Sequence, residues 1–292
     1  TGNEAVDLTG NSTNVLLFDG AAFTDDHIIP GCTDSLASNY AAENNFDDGS
    51  CVYPDYSLYF NGTDEYVNCG SDASLDIAFD ITVSAYIKVP IGVNQNDKTI
   101  IQNYQPLNGN SGQDHGWGIG ILHDDQGERL RFYGRVGDGN YYHVISPINI
   151  EDGNWHHVVG KRAGSLWSII VDGHLTSQTN SAGSFINNFP LVFGQEWNNY
   201  PNNKYEGHLD NVGIWDRALT DEEIASITHG DFDAGSTSNL AGYWDFDGNV
   251  EDLSGNENHG ELNGTSWSLN NMIPGCTDPL AENYSEGVTL ND

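Results

Sequence analysis

The stretch ITVSAYIKV, residues 81–89, decides the fold class. Its apolar residues recur at every second position, which is the period of an extended strand with one face toward a core. One face carries apolar side chains and the other carries polar or amphipathic ones: Ile81, Val83, Ala85, Ile87 and Val89 against Thr82, Ser84, Tyr86 and Lys88. The stretch therefore predicts a half-buried β-strand.

Neighbouring stretches predict further strands that pair as antiparallel hairpins. In LRFYGRV, residues 130–136, the large apolar side chains share one side of an extended chain. Residues 156–175, HHVVGKRAGSLWSIIVDGHL, indicate two strands around Ala163-Gly164, with an Asp172-Gly173 turn after the second. Asp-Gly is a preferred dipeptide for tight hairpin turns, so antiparallel pairing is expected.

One segment, ALTDEEIASITHG, predicts a short helix. Thr220 is placed to cap its N-terminus, and Glu223 follows at the spacing of a capping box. Ile224 and Ile227 form the apolar stripe, and Gly230 is the stop signal. A helix this short is expected to cover one side of a β-domain.

Composition and charge limit the class of protein. The chain has 292 residues, including 34 glycines and one methionine, and carries a formal net charge of −34. Many short strands in a sandwich or barrel are expected, and non-specific binding to nucleic acid or an anionic membrane is excluded. No apolar run is long enough to cross a membrane, and the first residues lack the layout of a signal peptide. Either a leader has been removed or the sequence is an internal piece.

The chain contains a repeated phrase. GCTDSLASNY begins at Gly31 and GCTDPLAENY begins at Gly275, 244 residues later (275 − 31). Upstream, DLTGN at residues 7–11 matches DLSGN at 252–256. These repeats predict a tandem array of large domains and small linker modules, in which the last linker is cut short. The expected divisions are the tail of a preceding repeat at 1–29, a linker at 30–54, a large domain at 55–271, and a truncated linker at 272–292.

The cysteines predict a disulfide bridge and an oxidising compartment. The loop between Cys32 and Cys51 is small and acidic, so it cannot bury enough apolar area to order itself. A disulfide there contributes roughly 3 kcal/mol by restricting the unfolded loop. Such a bridge implies an oxidising compartment outside the cytoplasm. Cys69 is expected to be a buried free thiol, and Cys276 pairs either in the missing part of its linker or with another subunit.

The linker phrase resembles the GCTDPxAxNYxxxAxxDDGSC repeats of large secreted proteins from marine Bacteroidetes. The resemblance implies an extracellular, multi-domain protein. Independently, Asp34, Asn39, Asp47 and Asp48 supply oxygen donors around a turn at Gly49, a composition that suits calcium. The alternative is that these residues only solvate the loop and cap its turns.

Several longer blocks resemble the laminin-G-like, concanavalin A-like family of jelly-roll lectin domains. They are YSLYFNGTDEYVNCG, NWHHVVGKR, WSIIVDGHL, YEGHLDNVGIWDRALTDEEI and LAGYWDFDGNVEDLSGNENHGELNGTSW. The resemblance runs from about Ser57 to Leu269. It implies an all-β, antiparallel two-sheet jelly-roll sandwich with small disulfide-stapled linker modules, but it does not identify a function, since the family contains sugar binders, protein binders and spacers.

The resemblance also suggests structural calcium, for which the large domain offers two sets of oxygen donors. The first set lies in one acidic segment: Asp247, Asp252, Asn256 and Asn258, beside Asp245. The second set joins Asp64 to Asp210, which an early and a late strand could bring together. Asx turns and hairpin caps are the alternative interpretation of both sets.

Aromatic and cationic residues provide the candidate ligand-binding positions. Trp155, Trp167, Trp215 and Trp244 are expected in the core. The candidates for stacking on a sugar lie in segments rich in Gly and Asn, which are typical of loops or open strand ends: Trp117, Trp197 and Tyr200. Arg131, Tyr133 and Arg135 alternate and share a strand face, which would suit sulfated or carboxylated glycans. The alternative is that these arginines only neutralise nearby carboxylates.

Catalysis has little support in the sequence. The E-x-D-x-E strand of laminarin-type hydrolases is absent, as are the H-E-x-x-H zinc helix and the G-x-S-x-G nucleophile turn. The expected function is a non-catalytic, calcium-stabilised lectin-like repeat of an extracellular or cell-surface adhesin or filament. Its expected partners are a glycan or surface protein and neighbouring copies, with no nucleic acid and no membrane insertion. The alternatives are a carbohydrate-targeting module of a secreted polysaccharide-degrading enzyme and a structural spacer in a surface fibre.

Overall fold

A computed structural model of the chain describes two compact units, Thr1–Tyr53 and Pro54–Asp292. The described residues are 4–5, 15–16, 28–35, 37–52, 55–93, 97–105, 115–185, 189–196, 203–228, 237–270, 274–275 and 289–291. No helix among them is long and apolar enough to cross a membrane.

The first unit contains a disulfide and two short strand pairs. Strands β1 (Glu4–Ala5) and β2 (Val15–Leu16) pair antiparallel, while β3 (Pro30–Gly31) and β4 (Phe46–Asp47) pair parallel. Cys32 and Cys51 form the predicted bridge, with their Cα atoms 4.6 Å apart. Cys32 is buried, so the bridge supplies the interior that this small, polar loop lacks.

The second unit consists almost entirely of strands. They are β5 (Ser57–Asn61), β6 (Tyr66–Asn68), β7 (Ile81–Lys88), β8 (Thr99–Gln105), β9 (His115–Asp124), β10 (Gly127–Arg135), β11 (Tyr141–Asn149), β12 (Trp155–Ala163), β13 (Leu166–Val171), β14 (His174–Thr179), β15 (Val192–Phe193), β16 (Glu206–Trp215), β17 (Leu240–Trp244), β18 (Glu261–Asn263), β19 (Ser266–Ser268), β20 (Pro274–Gly275) and β21 (Leu290–Asn291). A 3-10 turn spans Ala73–Leu75, and helix α1 spans Asp221–Thr228.

Two antiparallel sheets form a sandwich. Sheet A has the strand order β11-β10-β9-β8-β15-β6-β18, and sheet B has the order β14-β13-β12-β7-β16-β5-β19, with β17 paired to β16. Strands β20 and β21 form a separate parallel pair. The predicted all-β, two-sheet jelly-roll fold is confirmed. The predicted hairpin turn is also present, since Asp172 and Gly173 take the positive φ angles of 48° and 76° that such turns require.

The core between the sheets is aromatic and aliphatic. Trp155, Trp167, Trp215 and Trp244 are 2%, 0%, 1% and 0% exposed, as predicted. Cys69 is a buried free thiol, which also agrees with the prediction. Trp167 and Trp244 belong to the core between the sheets, whereas Trp215 packs against Ile224 and Ile227 of α1 and Trp155 packs with Tyr86 outside that core.

The prediction of a half-buried strand at residues 81–89 is wrong in one respect, because β7 is buried on both faces. Thr82, Ser84 and Tyr86 on its polar face are 0%, 1% and 2% exposed. Helix α1 covers this face, and the Tyr86 hydroxyl donates a 2.7 Å hydrogen bond to the carbonyl oxygen of Ile227. The polar residues of the alternating pattern therefore face a second interface rather than water.

The helix begins as its sequence predicts. The Glu223 amide donates to Thr220 Oγ1 over 3.2 Å, and the Thr220 amide donates to the Glu223 carboxylate over 2.8 Å, which completes the capping box. Ile224 and Ile227 are each 6% exposed. The predicted stop at Gly230 lies outside the described residues.

A buried histidine joins α1 to sheet B. His157 Nε2 lies 2.8 Å from Ser84 Oγ, and its Nδ1 lies 2.8 Å from Thr228 Oγ1 at the end of the helix. The side chain is buried, and this burial lowers the pKa of His157 to about 4. The imidazole is therefore neutral at physiological pH and bridges two hydroxyl groups.

We expect His157 to make the protein acid-sensitive. Its folded-state pKa is about 4 against an ordinary 6.5, so the unfolded state binds the proton more readily. The contribution of His157 to unfolding free energy should therefore fall as pH decreases from 6.5 to about 4, by up to roughly 3 kcal/mol. Urea unfolding across this range should show a flatter pH profile for His157→Asn than for the wild type. As a control, His174→Asn on the exposed strand β14 should keep the wild-type profile; equal slopes for both variants would contradict the assignment.

Candidate functional site

Strand β10 carries the predicted cationic and aromatic residues on one face. Arg131, Tyr133 and Arg135 alternate with Leu130 and Phe132, both of which are fully buried in the core. Consequently the side chains of Arg131, Tyr133 and Arg135 point away from the sandwich interior, on the outer face of sheet A.

The neighbouring strand β9 leaves room above this face. Its residues opposite Arg131, Tyr133 and Arg135 are Gly120, Gly118 and Gly116. A Cβ atom on Gly118 would lie 2.6 Å from the Tyr133 hydroxyl oxygen, so a side chain there would displace the tyrosine. Alternating glycines thus let the Tyr133 ring lie flat across β9.

Four rings form an aromatic row across the outer face of sheet A: Tyr104, Tyr133, Tyr141 and His143. Successive ring centroids are 5.9, 5.8 and 5.7 Å apart, and the Tyr133–Tyr141 pair is stacked. Tyr104 and Tyr133 are 8% and 5% exposed, whereas Tyr141 is 38% exposed and His143 is exposed. The end of the row that a ligand can reach is therefore Tyr141 and His143, with Tyr133 supporting Tyr141.

The charged groups around the row are partly engaged within the protein. The Arg131 guanidinium lies 5.2 Å from the Tyr133 centroid, and its Nη2 lies 3.0 Å from Asp97. Arg135 donates to the carbonyl oxygen of Gly139 over 2.7 Å. The ion pair with Asp97 agrees with the alternative that cations here neutralise carboxylates. The guanidinium nevertheless remains partly exposed, with 19% of the Arg131 side chain accessible.

Beneath the row, hydrogen-bond donors are in excess. The Tyr133 hydroxyl donates to Gln102 Oε1 over 3.3 Å. Within the part of the chain that the structure describes, Gln102 Nε2 and Arg131 Nε have no hydrogen-bond partner, although both are buried. Burial and the nearby Arg131 charge lower the pKa of His143, so its ring is neutral at physiological pH. An arrangement rich in donors favours a ligand rich in acceptors.

Sequence reasoning missed Tyr104, Tyr141 and His143. The signal for the last two was present, since they alternate in YYHVISPINI as members of one strand face. The alternating glycines of HGWGIG were a second signal, because they indicate close approach rather than a loop.

The expectation that Trp117 lies in a loop or open strand end is wrong. Trp117 belongs to β9 and is 1% exposed, with its ring in the core. A side chain on the neighbouring Gly118 would lie on the opposite face of the strand, against Tyr133. The glycine therefore makes room for Tyr133 and does not expose the tryptophan. Trp197 and Tyr200 lie outside the described residues.

Three members of the first predicted calcium set are engaged in hydrogen bonds within the protein. The Asp252 carboxylate accepts hydrogen bonds from the backbone amides of Tyr243, Ser254 and Asn258, at 2.9, 2.9 and 3.0 Å. Asn256 and Asn258 both donate their side-chain amides to the Ala241 carbonyl oxygen. These groups tie a loop to β17, so Asp252, Asn256 and Asn258 act as caps, as the Asx-turn alternative proposed.

Asp247 differs from its predicted partners. One carboxylate oxygen accepts the Tyr56 amide over 2.9 Å. Burial, together with the neighbouring carboxylates Asp245 and Asp55, raises the pKa of Asp247 to about 6. Burial also raises the pKa of Asp245. At neutral pH the carboxylates of Asp245 and Asp247 therefore carry negative charge in a partly buried site, which is unfavourable.

The second predicted calcium pair is not brought together. Strand pairing places Asn61 opposite Glu206 and Leu58 opposite Leu209, so Asp64 and Asp210 lie toward opposite ends of the β5–β16 ladder. The four residue steps from Glu206 to Asp210 span roughly 13 Å. Asp210 is also fully buried, whereas Asp64 is exposed.

In the linker, the predicted calcium ligands form turns. Asp47 Oδ1 accepts the Gly49 amide and Asp48 Oδ1 accepts the Ser50 amide, each at 3.0 Å. Asn39 Oδ1 accepts the Val52 amide at 2.8 Å. The carbonyl oxygen of Asp34 accepts the Ala37 amide at 3.1 Å. Across the described residues of both units, no three His, Cys, Asp or Glu side chains are placed to hold a metal ion.

Comparison with known proteins identifies relatives of the large domain. Residues 61–225 match the family described as the concanavalin A-like lectin/glucanases superfamily. No curated protein matches the chain in sequence. A candidate carbohydrate-binding protein from Bacteroides ovatus is similar in structure, with a TM-score of 0.54 and 18% identity, and the match covers 79% of this chain and 65% of that one.

Two further solved structures have lower similarity. A heptameric SAP-like pentraxin from Limulus polyphemus has a TM-score of 0.47 and 20% identity, covering 60% of this chain and 82% of its own. Domain 4 of an extracellular arabinanase from Geobacillus stearothermophilus, solved with arabinotriose, has a TM-score of 0.44 and 17% identity, covering 63% of this chain and 83% of its own.

The raised pKa of Asp247 predicts that removing its charge stabilises the domain. Asn at this position keeps an oxygen for the Tyr56 amide. Because the folded-state pKa is about 6 against an ordinary 3.8, ionisation costs more in the folded state. In metal-free buffer well above pH 6, Asp247→Asn should therefore raise the unfolding free energy by about 1 to 2 kcal/mol. The gain should vanish as pH falls toward 3.8.

Urea unfolding at both ends of this pH range measures the effect. Asp138→Asn is the control, because its exposed carboxylate has a pKa lowered by hydrogen bonds and gains nothing from neutralisation. If Asp247→Asn were less stable than the wild type well above pH 6, the interpretation that the Asp247 charge destabilises the folded domain would be refuted.

Proposed function

The chain belongs to the concanavalin A-like lectin/glucanases superfamily, and we propose that its large domain is a non-catalytic module that binds glycans through the aromatic row. The observation that carries the proposal is Tyr141, which is 38% exposed and rests on the buried Tyr133 ring. A tyrosine held flat from beneath presents an apolar face to a sugar ring at little cost in side-chain entropy.

The proposed ligand is an acidic glycan. Arg131 and Arg135 flank the row, and guanidinium groups pair well with sulfate and carboxylate. Donors near an exposed ring support a ligand that combines acceptor groups with an apolar ring face, as a sulfated or uronic polysaccharide does.

The wider setting is part of the same proposal. The Cys32–Cys51 bridge supports export to an oxidising compartment. The repeated linker phrase supports a place in a long adhesin or filament, where neighbouring copies at one spacing would raise avidity.

Calcium stabilisation is a separate proposal. Its support is the acidity of the chain and the raised pKa values of Asp245 and Asp247, whose repulsion with the nearby Asp55 carboxylate a divalent cation would relieve. If it is correct, calcium chloride should raise the melting temperature of the wild type by several degrees over EDTA. Asp247→Asn should show a smaller rise, because it has lost one of the repelling charges. Equal wild-type melting curves in calcium and EDTA would remove calcium from the proposed function.

A glycan array followed by calorimetry tests the binding site. Tyr141→Ala should weaken binding by roughly tenfold or more, whereas Tyr141→Phe should retain most of it, because the stacking ring remains. Arg131→Gln should weaken binding to sulfated or carboxylated glycans and leave neutral ones little changed.

The matched control is Leu175→Ala, which removes an exposed apolar side chain from β14 in sheet B. It should bind like the wild type. Binding that survives Tyr141→Ala unchanged, or an array without any signal, would overturn the proposal and favour a structural spacer.

A further inference from the structure

A small pocket opens at a different place on sheet A. It lies between the segment around the 3-10 turn Ala73–Leu75, the side chain of Asn103 in β8, and Phe189 before β15, and it has a volume of about 140 Å³. Asn103 is the neighbour of Tyr104 along β8, but successive side chains of a strand point to opposite faces. The pocket is therefore separate from the aromatic row.

Asn103 has an unused acceptor at the wall of this pocket. The side chain is 1% exposed, and its Nδ2 donates to the Phe189 carbonyl oxygen over 2.9 Å. That bond fixes the amide orientation, since the reverse would place two oxygens together. Among the residues that the structure describes, nothing donates to Asn103 Oδ1. A buried acceptor without a partner is costly, so a donor from a ligand would relieve it.

The other polar residues of the pocket are Ser71, whose hydroxyl can donate or accept, and two carboxylate acceptors. Asp72 and Asp76 line it, and both are exposed. The Ser74 amide and hydroxyl donate to Asp72 Oδ1 at 2.9 and 3.0 Å, and these bonds lower the pKa of Asp72. No lysine or arginine is among the described lining residues. The pocket therefore disfavours anions and favours a ligand with positive charge and several donors.

The remaining wall of the pocket is apolar, and the volume of the pocket limits the size of its ligand. Leu75, which is 2% exposed, and Phe189 both line the pocket. An engineered cavity of about 150 Å³ admits a six-membered ring such as benzene. Two carboxylates and one amide oxygen fall short of the six to eight ligands that calcium requires. One ring carrying an ammonium group fits these walls better than a metal ion.

We propose that this pocket binds an unacetylated amino-sugar residue as its protonated amine. Its ammonium group has three donors, and Asn103 Oδ1, Asp72 and Asp76 supply three acceptors. The pyranose ring lies against Leu75 and Phe189. The assignment rests on the proposed glycan-binding function, and it adds a second subsite whose chemistry is opposite to that of the aromatic row.

Nuclear magnetic resonance titration of the full chain with glucosamine tests the subsite. Resonances of the Asn103 side-chain amide and the Ala73 methyl group should shift with glucosamine. Glucose and N-acetylglucosamine should bind roughly tenfold more weakly or not at all, because neither carries the ammonium charge. Cyclohexylamine, an amine without hydroxyl groups, should also bind more weakly than glucosamine.

Asp76→Asn tests the charge without disturbing the Asp72 cap. It should weaken glucosamine binding by roughly threefold or more, since an exposed charge is partly screened. Asp125→Asn, which makes the same change in the exposed turn between β9 and β10, should bind like the wild type.

Each other outcome overturns the assignment. Equal binding of glucose would show a neutral hydroxyl site, and equal binding of cyclohexylamine would show a general amine site. Calcium chloride that shifts the same resonances more strongly would show a metal site, and absent shifts would show no subsite. Resonances of Tyr141 report the aromatic row separately, so a failure here is distinguishable from a failure of the proposed function.

Discussion

Double burial of β7 is the constraint on which the large domain depends. On one side its apolar residues join the core between the sheets, and on the other Tyr86 is buried under α1. The helix is held there by the Tyr86 hydroxyl, by His157, and by the packing of Ile224 and Ile227. The outer face of sheet B is thus covered by α1, whereas the aromatic row lies on the outer face of sheet A.

The two candidate subsites follow from how each part of sheet A satisfies its polar groups. Under the aromatic row, alternating glycines of β9 let Tyr133 lie flat, and buried donors outnumber acceptors. At the pocket, Asn103 and the nearby carboxylates leave acceptors in excess. Neither excess is satisfied within the described residues, and each is complementary to a different ligand group. A glycan that carried both acidic and amino groups would match both.

Local signals in the sequence predicted most of the fold. Period-two alternation identified the strands around residues 81–89 and 130–136, and the Thr220–Glu223 capping box identified the only helix of the described residues. These signals depend on neighbours a few positions apart, so they do not need the tertiary structure. Burial of the polar face of β7 was not predictable in this way, because it depends on a helix far along the chain.

The candidate sites were predicted less well, for identifiable reasons. An acidic loop such as the one around Asp252 has the same composition whether its carboxylates cap backbone amides or bind an ion. Only the hydrogen bonds of Asp252 in the structure distinguish these two roles. The register of β5 against β16, which separates Asp64 from Asp210, is a non-local property. The prediction for Trp117 is wrong because glycine neighbours are typical of loops, whereas here Gly118 makes room for the Tyr133 ring on the opposite face of the strand.

The position of β11 at the edge of sheet A has an evolutionary consequence. Among the described residues this strand pairs only with β10, and its outward residues Tyr141 and His143 lie apart from the core. Substitutions at such surface positions usually change stability by less than about 0.5 kcal/mol. Within the tandem array proposed above, the chemistry of recognition can therefore diverge between copies while one scaffold is retained, which would give a single polypeptide a series of different specificities along its length.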